Sequence, residues 1–178
     1  MKSRKLLVIL STFLLCFSSK SYSSMFTKNK TRFDWLTSAS APKKYPMKII
    51  SGTFYYHNEK GGLYIPDASS INNGWGTISN THVVGEDYKA LPDRLDIRFF
   101  SYAENKMYHG SFDLPYEKIL ALFKAGVDAD KETSTFRYLI ADIAPSGTVA
   151  VWASGPKQEA REVFLVKQSH MKEYLKIP

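Results

Sequence analysis

The segment His109-Gly110-Ser111 carries the side chains best suited to nucleophilic chemistry. In an extended strand His109 and Ser111 lie on the same face, and Asp113 continues that face. A serine hydrolase needs a serine, a histidine base, an acid that orients the histidine, and an oxyanion hole. The chain contains no Gly-x-Ser-x-Gly elbow. The sequence therefore favours a surface strand of mixed polarity, with an envelope hydrolase as the alternative.

Metal and carboxylate chemistry have weaker signatures. The histidines His57, His82, His109 and His170 are scattered, and no His-Glu-x-x-His pair occurs. Residues 128–132 begin like a calcium loop, but Thr133 stands where the loop needs glycine and Leu139 where it needs glutamate. Five acids are candidates for a glycosidase pair, namely Asp96, Glu104, Asp113, Glu117 and Asp142. The sequence does not set the distance between any two of their carboxyl groups. We predict no catalytic residue, no metal site and no cofactor.

Aromatic residues are abundant on the predicted strands. They are Phe54, Tyr55, Tyr56, Trp75, Phe99, Phe100, Tyr102, Tyr108 and Trp152. This composition favours aromatic filling of a small β core, with a glycan-stacking module as the alternative. In the strand 95–102, Phe100 and Tyr102 share a side with Asp96 and Arg98. That mixed side leaves open an exposed aromatic patch that binds protein.

The N-terminus has the pattern of a secretory signal peptide. Lys2, Arg4 and Lys5 precede an apolar run from Leu6 to Phe17, and a small polar stretch follows. The run has 12 residues, whereas a membrane-spanning helix needs about 20. We predict a signal peptide over residues 1–23 with cleavage between Ser23 and Ser24, and hence a periplasmic protein.

Cleavage at that point changes the cysteine and charge arguments. The chain's one cysteine, Cys16, lies in the signal, so the mature protein would have no disulfide, thiolate nucleophile or cysteine metal site. The alternative is a membrane-anchored lipoprotein with the lipid on Cys16, although Leu15 stands where the lipoprotein peptidase prefers a small residue. The mature chain keeps 20 basic and 17 acidic residues, since four Lys and Arg and no acids precede residue 24. A net charge of +3 gives no nucleic-acid footprint.

The predicted elements indicate an α+β fold. We expect a polar lead-in over residues 24–46 and a single β-rich domain over 47–178, with ordered strands starting at Met47. Predicted strands cover 47–56, 63–65, 95–102, 106–112, 136–144, 148–154 and 161–167, and Gly74–Gly76 opens another short strand. One amphipathic helix spans about 114–126, capped by Asp113 and ended by Gly126. A short C-terminal helix is predicted over 169–176. Consecutive hairpins around one helix predict an antiparallel sheet or sandwich.

Five motifs in order carry a family resemblance. They are Ser40-Ala41-Pro42-Lys43-Lys44-Tyr45-Pro46, Gly74-Trp75-Gly76, Leu91-Pro92-Asp93-Arg94-Leu95-Asp96, Asp113-Leu114-Pro115-Tyr116-Glu117-Lys118-Ile119, and Ala144-Pro145-Ser146-Gly147 followed by Trp152-Ala153-Ser154-Gly155-Pro156. In this order the chain resembles the bacterial domain-of-unknown-function family 2931, over about residues 33–167. The resemblance implies a Gram-negative envelope protein, often a lipoprotein, and for some members an immunity partner of a secreted toxic effector such as a lipase. It brings no set of catalytic residues.

These observations together predict a non-enzymatic periplasmic protein that binds another protein, with the immunity role as its most specific form. The alternatives are the envelope hydrolase and the cell-wall glycan-binding module. No nucleic-acid partner is expected, and a membrane is expected only if Cys16 is lipidated.

Overall fold

The computed structural model describes residues 30–127, 135–155, 157, 159–167 and 172–174. The elements below belong to one unit, Arg32–Pro178. Three predictions lie outside the described residues: signal cleavage at Ser23 and Ser24, lipidation at Cys16, and the calcium-like segment 128–132. In the described part of the chain, no helix is both long and apolar enough to cross a membrane.

The described residues form twelve strands and one helix. In chain order they are β1 Arg32–Phe33, β2 Leu36–Ser40, β3 Met47–Tyr56, β4 Gly62–Tyr64, β5 Ala68–Ile71, β6 Lys89–Ala90, β7 Pro92–Ser101, β8 Lys106–Asp113, α1 Tyr116–Ala125, β9 Tyr138–Ala144, β10 Thr148–Ser154, β11 Ala160–Val166 and β12 Lys172–Tyr174.

Two larger sheets and one small one organise these strands. The six-stranded sheet has the order β12-β8-β7-β3-β4, with β5 also paired to β3, and all its pairs are antiparallel. The four-stranded sheet has the order β11-β10-β9-β2, in which β2 runs parallel to β9. β1 and β6 form a two-stranded ladder. The prediction of a mostly antiparallel α+β fold is confirmed at this level.

The core forms where the predicted periodicities are strongest. Leu95, Ile97 and Phe99 alternate along β7 and are fully buried, as a strand with one buried face requires. Helix α1 buries Ile119, Leu120 and Phe123 at helical spacing. Together they account for the hairpin and helix that the sequence predicts.

The two ends of α1 differ in how well they were predicted. Gly126 ends the helix as expected, with φ of 73° and its N–H donating to the carbonyl of Leu122 at 2.9 Å. The predicted Asp113 cap is wrong. Pro115 occupies the N-cap position, and no side chain caps the helix, because Asp113 ends β8 two residues earlier.

The prediction that strands begin at Met47 is wrong, because residues 32–40 already form β1 and β2. All five residues of β2 are buried, and the indole N–H of fully buried Trp35 donates to the carbonyl of Ala90 at 3.1 Å. The sequence did not predict this strand because the serine and threonine residues of β2 resemble those of a loop, although their hydroxyl groups are buried. One of them, Thr37 Oγ1, donates to the carbonyl of Tyr64 at 2.6 Å, so its burial leaves no unpaired group.

Two further predicted elements need correction. Lys172–Tyr174 form β12, paired with β8, so the predicted C-terminal helix is wrong at these residues. The rest of 169–176 lies outside the described residues. Gly74-Trp75-Gly76 is part of a turn and not a strand. Gly74 and Gly76 have φ of 113° and 69°, which glycine tolerates and an extended strand does not use.

Candidate protein-binding face

The six-stranded sheet has one side that does not contribute to the core, which we call the outer face. Along β7, Arg98 is exposed and Asp96 and Phe100 are half-buried, whereas the residues between them are fully buried. β3 and β8 flank β7 in register and continue the same face. The predicted mixed side of this strand is therefore present and open over three neighbouring strands.

One end of the outer face is apolar. Phe100 and Tyr102 pack edge to face with ring centroids 5.2 Å apart, and Tyr102 is 46% exposed. A β-bulge interrupts the pairing of β3 with β7 between Ile49 and Ser51. The extra residue, Ile50, is 38% exposed. A hollow of about 350 Å³ lies beside the bulge, lined in part by Ile50.

Cations lie beside this apolar end. Lys48 is the cross-strand partner of Phe100, and Arg98 is the partner of Ser51. Both cations are exposed, and neither forms an ion pair with a residue that the structure describes. In this part of the described structure, the outer face therefore presents positive charge that is not ion-paired next to exposed apolar surface.

The predicted hydrolase residues lie in the middle of the outer face. His109 Nε2 lies 3.2 and 3.3 Å from the two carboxylate oxygens of Asp96, and Ser111 is the cross-strand partner of Asp96. The structure therefore gathers His109, Ser111 and Asp96, and it places Asp113 further along the same strand. Ser111 lies within a paired strand and not at a sharp turn, so the nucleophile elbow of such enzymes has no counterpart at this serine.

The other end of the outer face opens into a cleft of about 620 Å³. His57 is central to this cleft. Its Nδ1 lies 2.8 Å from Asp93 Oδ2, its Nε2 lies 2.7 Å from the side-chain nitrogen of Asn58, and its ring stacks on Tyr116 at 3.7 Å. The hydrogen-bond network assigns the tautomer: Nδ1–H donates to the carboxylate, and Nε2 accepts from the amide. Both ring nitrogens are thus hydrogen-bonded. His57 is therefore better suited to shaping the cleft than to acting as a general base.

The cleft and the outer face share residues, so they form one continuous surface. Tyr55, Arg94 and Asp113 line the cleft and also lie in one cross-strand row of the sheet. The guanidinium carbon of Arg94 lies 4.2 Å from the centre of the Tyr55 ring, a cation–π contact that fixes the arginine at the border.

The remaining candidate acids and histidines are spread over the fold. Glu104 accepts a hydrogen bond from the backbone N–H of Ser146 at 3.0 Å, Glu117 lies in the first turn of α1, and Asp142 is fully buried. His82 Nδ1 lies 2.6 Å from the Tyr64 hydroxyl, and His170 lies outside the described residues. Within the described ranges, no group of three or more His, Cys, Asp or Glu side chains could hold a metal ion.

Trp75 and Trp152, which are among the aromatic residues considered for glycan binding, occupy different environments. Trp75 is 38% exposed in its turn. Trp152 is half-buried, and an added Cβ on Gly76 would lie 3.6 Å from its ring. The loop that carries Trp75 therefore packs on Trp152 at Gly76.

Sequence reasoning missed the His57–Asp93 pair. The two residues are 36 positions apart, with His57 in the turn after β3 and Asp93 at the start of β7. The His57 N–H also donates a backbone hydrogen bond to the Leu91 carbonyl at 3.0 Å, which holds the same two segments together. No local pattern reports such a contact.

Comparison with known proteins identifies the class of the chain and nothing narrower. The family model described as "Protein of unknown function (DUF2931)" matches residues 21–176, nearly the whole chain, so the protein belongs to this family and the predicted resemblance is confirmed. No curated protein and no solved structure matches it.

Proposed function

We propose that this protein is an exported, non-enzymatic envelope protein that binds another protein through the outer face and its adjoining cleft. The observation that carries the proposal is the apolar end of the outer face, where exposed Tyr102 and Ile50 lie beside Lys48 and Arg98. Neither cation forms an ion pair with a described residue. Aromatic and arginine side chains are enriched among the residues that dominate interface energies.

The dimensions of the outer face suit a modest interface. β3 and β7 have ten residues each, β8 has eight, and β4 and β12 have three each. At about 3.3 Å per residue and about 4.8 Å between strands, their face covers roughly 500 Å², below the ~800 Å² that each partner contributes to a standard interface. The cleft would add a recess for an anchor side chain of the partner.

The charges indicate which partner surface fits. Lys48 and Arg98 would pair with acidic residues that surround an apolar contact on the partner. Arg98 would supply an anchor, because a guanidinium binds carboxylates in a bidentate manner. We therefore propose an acidic patch with an apolar centre as the complementary surface.

The narrower form of the proposal is immunity, in which the partner is a secreted toxic effector such as a lipase. The mechanism would be steric occlusion, since a preformed sheet face needs no rearrangement to cover an active site. The predicted export signal and the absence of a nucleophile elbow at Ser111 support a role in binding more than one in catalysis.

The binding proposal is tested by co-purification from the periplasm with a matched pair of charge reversals. Arg98→Glu alters the outer face, and Arg161→Glu alters an exposed arginine on β11 of the other sheet. We expect the wild-type protein and Arg161→Glu to retain a partner, and we expect recovery of the partner with Arg98→Glu to fall by about tenfold or more. Equal retention by both variants, or repeated recovery of the wild type as a lone monomer, would contradict the proposal.

The export proposal has its own measurement, which is mass spectrometry of the mature N-terminus. Cleavage between Ser23 and Ser24 predicts a chain that begins at Ser24. A fatty-acid label on Cys16 would show the lipoprotein form instead. A chain that keeps Met1 in the cytosol would contradict export.

A hydrolase is the second candidate, and one observation favours it: Asp96 and His109 are paired next to Ser111. Purified wild-type protein and Ser111→Ala should be compared on ester, lipid and glycan substrates. Turnover by the wild type that Ser111→Ala abolishes would replace binding with catalysis as the proposed function.

A further inference from the structure

Asp142 is a fully buried carboxyl group beneath a loop. It lies on β9 between Ala141 and Ile143, which face the main core, so its own side chain points to the opposite side of the four-stranded sheet. The segment 73–80, which we call the covering loop, packs against that side. Asp142 Oδ2 accepts a hydrogen bond from the Gly76 N–H at 2.7 Å.

Other hydrogen bonds attach the covering loop to β2 and the residue after it. The Gly74 N–H donates to the carbonyl of Ala41 at 2.9 Å, and the Ser79 N–H donates to Ser38 Oγ at 2.9 Å. The Ser38 hydroxyl in turn donates to the carbonyl of Asn80 at 3.2 Å. Among these attachments, Asp142 supplies the group that can gain or lose a proton.

The polar surroundings of Asp142 satisfy an ionised carboxylate poorly. In the described part of the chain, Asp142 Oδ1, Trp152 Nε1 and Ser40 Oγ are buried without a hydrogen-bond partner. Trp152 Nε1 lies close enough to favour the charged carboxylate, although its geometry falls short of a hydrogen bond. A buried carboxylate with one hydrogen bond is costly compared with the neutral acid.

Among the described residues, no cation forms an ion pair with Asp142. β2, β10 and the covering loop contain no titratable residue. Glu162 on β11 is the cross-strand neighbour of Trp152 and adds negative charge. The Lys43 stem packs near Gly74, but Lys43 forms no ion pair with a described residue. Burial raises the pKa of Asp142 to about 7, with Glu162 adding to the rise and the Gly76 N–H and Trp152 opposing it.

We propose that Asp142 is a proton-operated latch for the covering loop: the neutral acid holds the loop closed, and loss of its proton favours loop opening. Opening lets water reach the carboxylate and removes the cost of burying its charge. The loop also carries Trp75, which is 38% exposed, and rests on Trp152 at Gly76. The protonation state of one buried group would therefore control how this tryptophan is presented at the surface.

The direction and window of the pH effect follow from proton linkage. The closed loop binds the proton more tightly than the open loop, in which a hydrated carboxyl has its ordinary pKa of 3.8. Closure is therefore strongest below about pH 4 and weakens about tenfold per pH unit up to about pH 7, where the effect levels off. The whole effect amounts to about a thousandfold in the opening equilibrium.

The test is hydrogen exchange of the Gly76 amide at pH 4.5 and 7.5, corrected for the intrinsic rate. We expect its protection in the wild type to fall by about a hundredfold or more between the two values. Asp142→Asn keeps an acceptor for the Gly76 N–H but does not titrate, so its protection should not change with pH. The Gly126 amide, which donates to the Leu122 carbonyl at the end of α1, is the internal control.

Two results would overturn the latch. One is equal protection of the wild-type Gly76 amide at both pH values, and the other is the same pH dependence in Asp142→Asn. If Asp142→Asn does not fold, the carboxyl carbon of Asp142 in the wild type can be titrated by NMR. A midpoint near 7 supports the latch, and a midpoint near 4 overturns it.

Discussion

Replacing Asp142 by Asn should stabilise the whole domain at neutral pH and leave it nearly unchanged at acid pH. The side chain is fully buried, and burial raises its pKa from 3.8 to about 7. The folded protein therefore prefers the protonated acid, so that preference contributes fully to stability below pH 4. The contribution is lost as the pH rises to about 7. Asparagine has nearly the same shape as the neutral acid and carries no titratable group.

The size of the effect follows from the shift. A shift of about three units corresponds to about 4 kcal/mol, at about 1.36 kcal/mol per unit. Asp142→Asn should therefore be more stable than the wild type by up to about 4 kcal/mol at pH 8 and within about 1 kcal/mol of it at pH 4. If the covering loop of the wild type opens while the rest of the domain stays folded, Asp142 ionises in the open loop. The stability difference between the two proteins then cannot exceed the free energy of loop closure.

The assay is urea unfolding of both proteins at pH 4.5, 6, 7 and 8. The other ionisable groups are shared by the two proteins, so the difference between their unfolding free energies isolates residue 142. Asp113→Asn is the control, because Asp113 is exposed and its replacement should change stability by no more than about 0.5 kcal/mol. A variant that is less stable than the wild type by the same amount at every pH would refute the reasoning.

Three further substitutions probe the backbone and the core, and thermal or urea unfolding measures each. Gly76→Ala should cost about 1–2 kcal/mol, because φ is 69° and the added Cβ itself meets only ordinary contacts; no loss would contradict the left-handed geometry. Trp35→Phe removes the donor to the buried Ala90 carbonyl, and we expect a loss of about 1–3 kcal/mol; an unchanged midpoint would count against that hydrogen bond. Gly62→Ala would place a Cβ 2.3 Å from the Phe54 carbonyl oxygen, so it should cost about 1–3 kcal/mol and weaken the β3–β4 pairing; retained β4 amide protection would be inconsistent with this contact.

Local sequence signals predicted the elements whose stabilising contacts are close in the chain. The β7–β8 hairpin, the α1 helix and the β9–β10 hairpin each combine a periodic apolar pattern with a turn or a stop signal. The residues of these elements meet partners that are close in the chain. Their existence therefore did not depend on knowing the tertiary structure.

Distant pairings escaped prediction. β2 is buried because it pairs in parallel with β9, from which it is separated by most of the domain, and its serines and threonine resemble a loop. β12 adds to the edge at β8 and gives no strand pattern of its own. Both cases show tertiary pairing overriding weak local preference.

The candidate site was predicted in part. The mixed side of β7, with Arg98 and Phe100, follows from alternation alone and is confirmed as exposed or half-buried. The cleft around His57 was not predictable, since a long-range contact joins the turn after β3 to Asp93 at the start of β7. In the sequence Asp142 is one of five candidate acids, and its position inside the apolar strand 138–144 is the signal that points to burial.

Site-specific photocrosslinking in intact cells tests the central claim of protein binding most directly. A photoreactive phenylalanine replaces Tyr102 on the outer face or, as the control, Leu165 on β11; the two side chains are 46% and 47% exposed. We predict a covalent adduct with one discrete protein from position 102 and none from position 165. Adducts from both positions alike, or from neither, would contradict binding through the outer face.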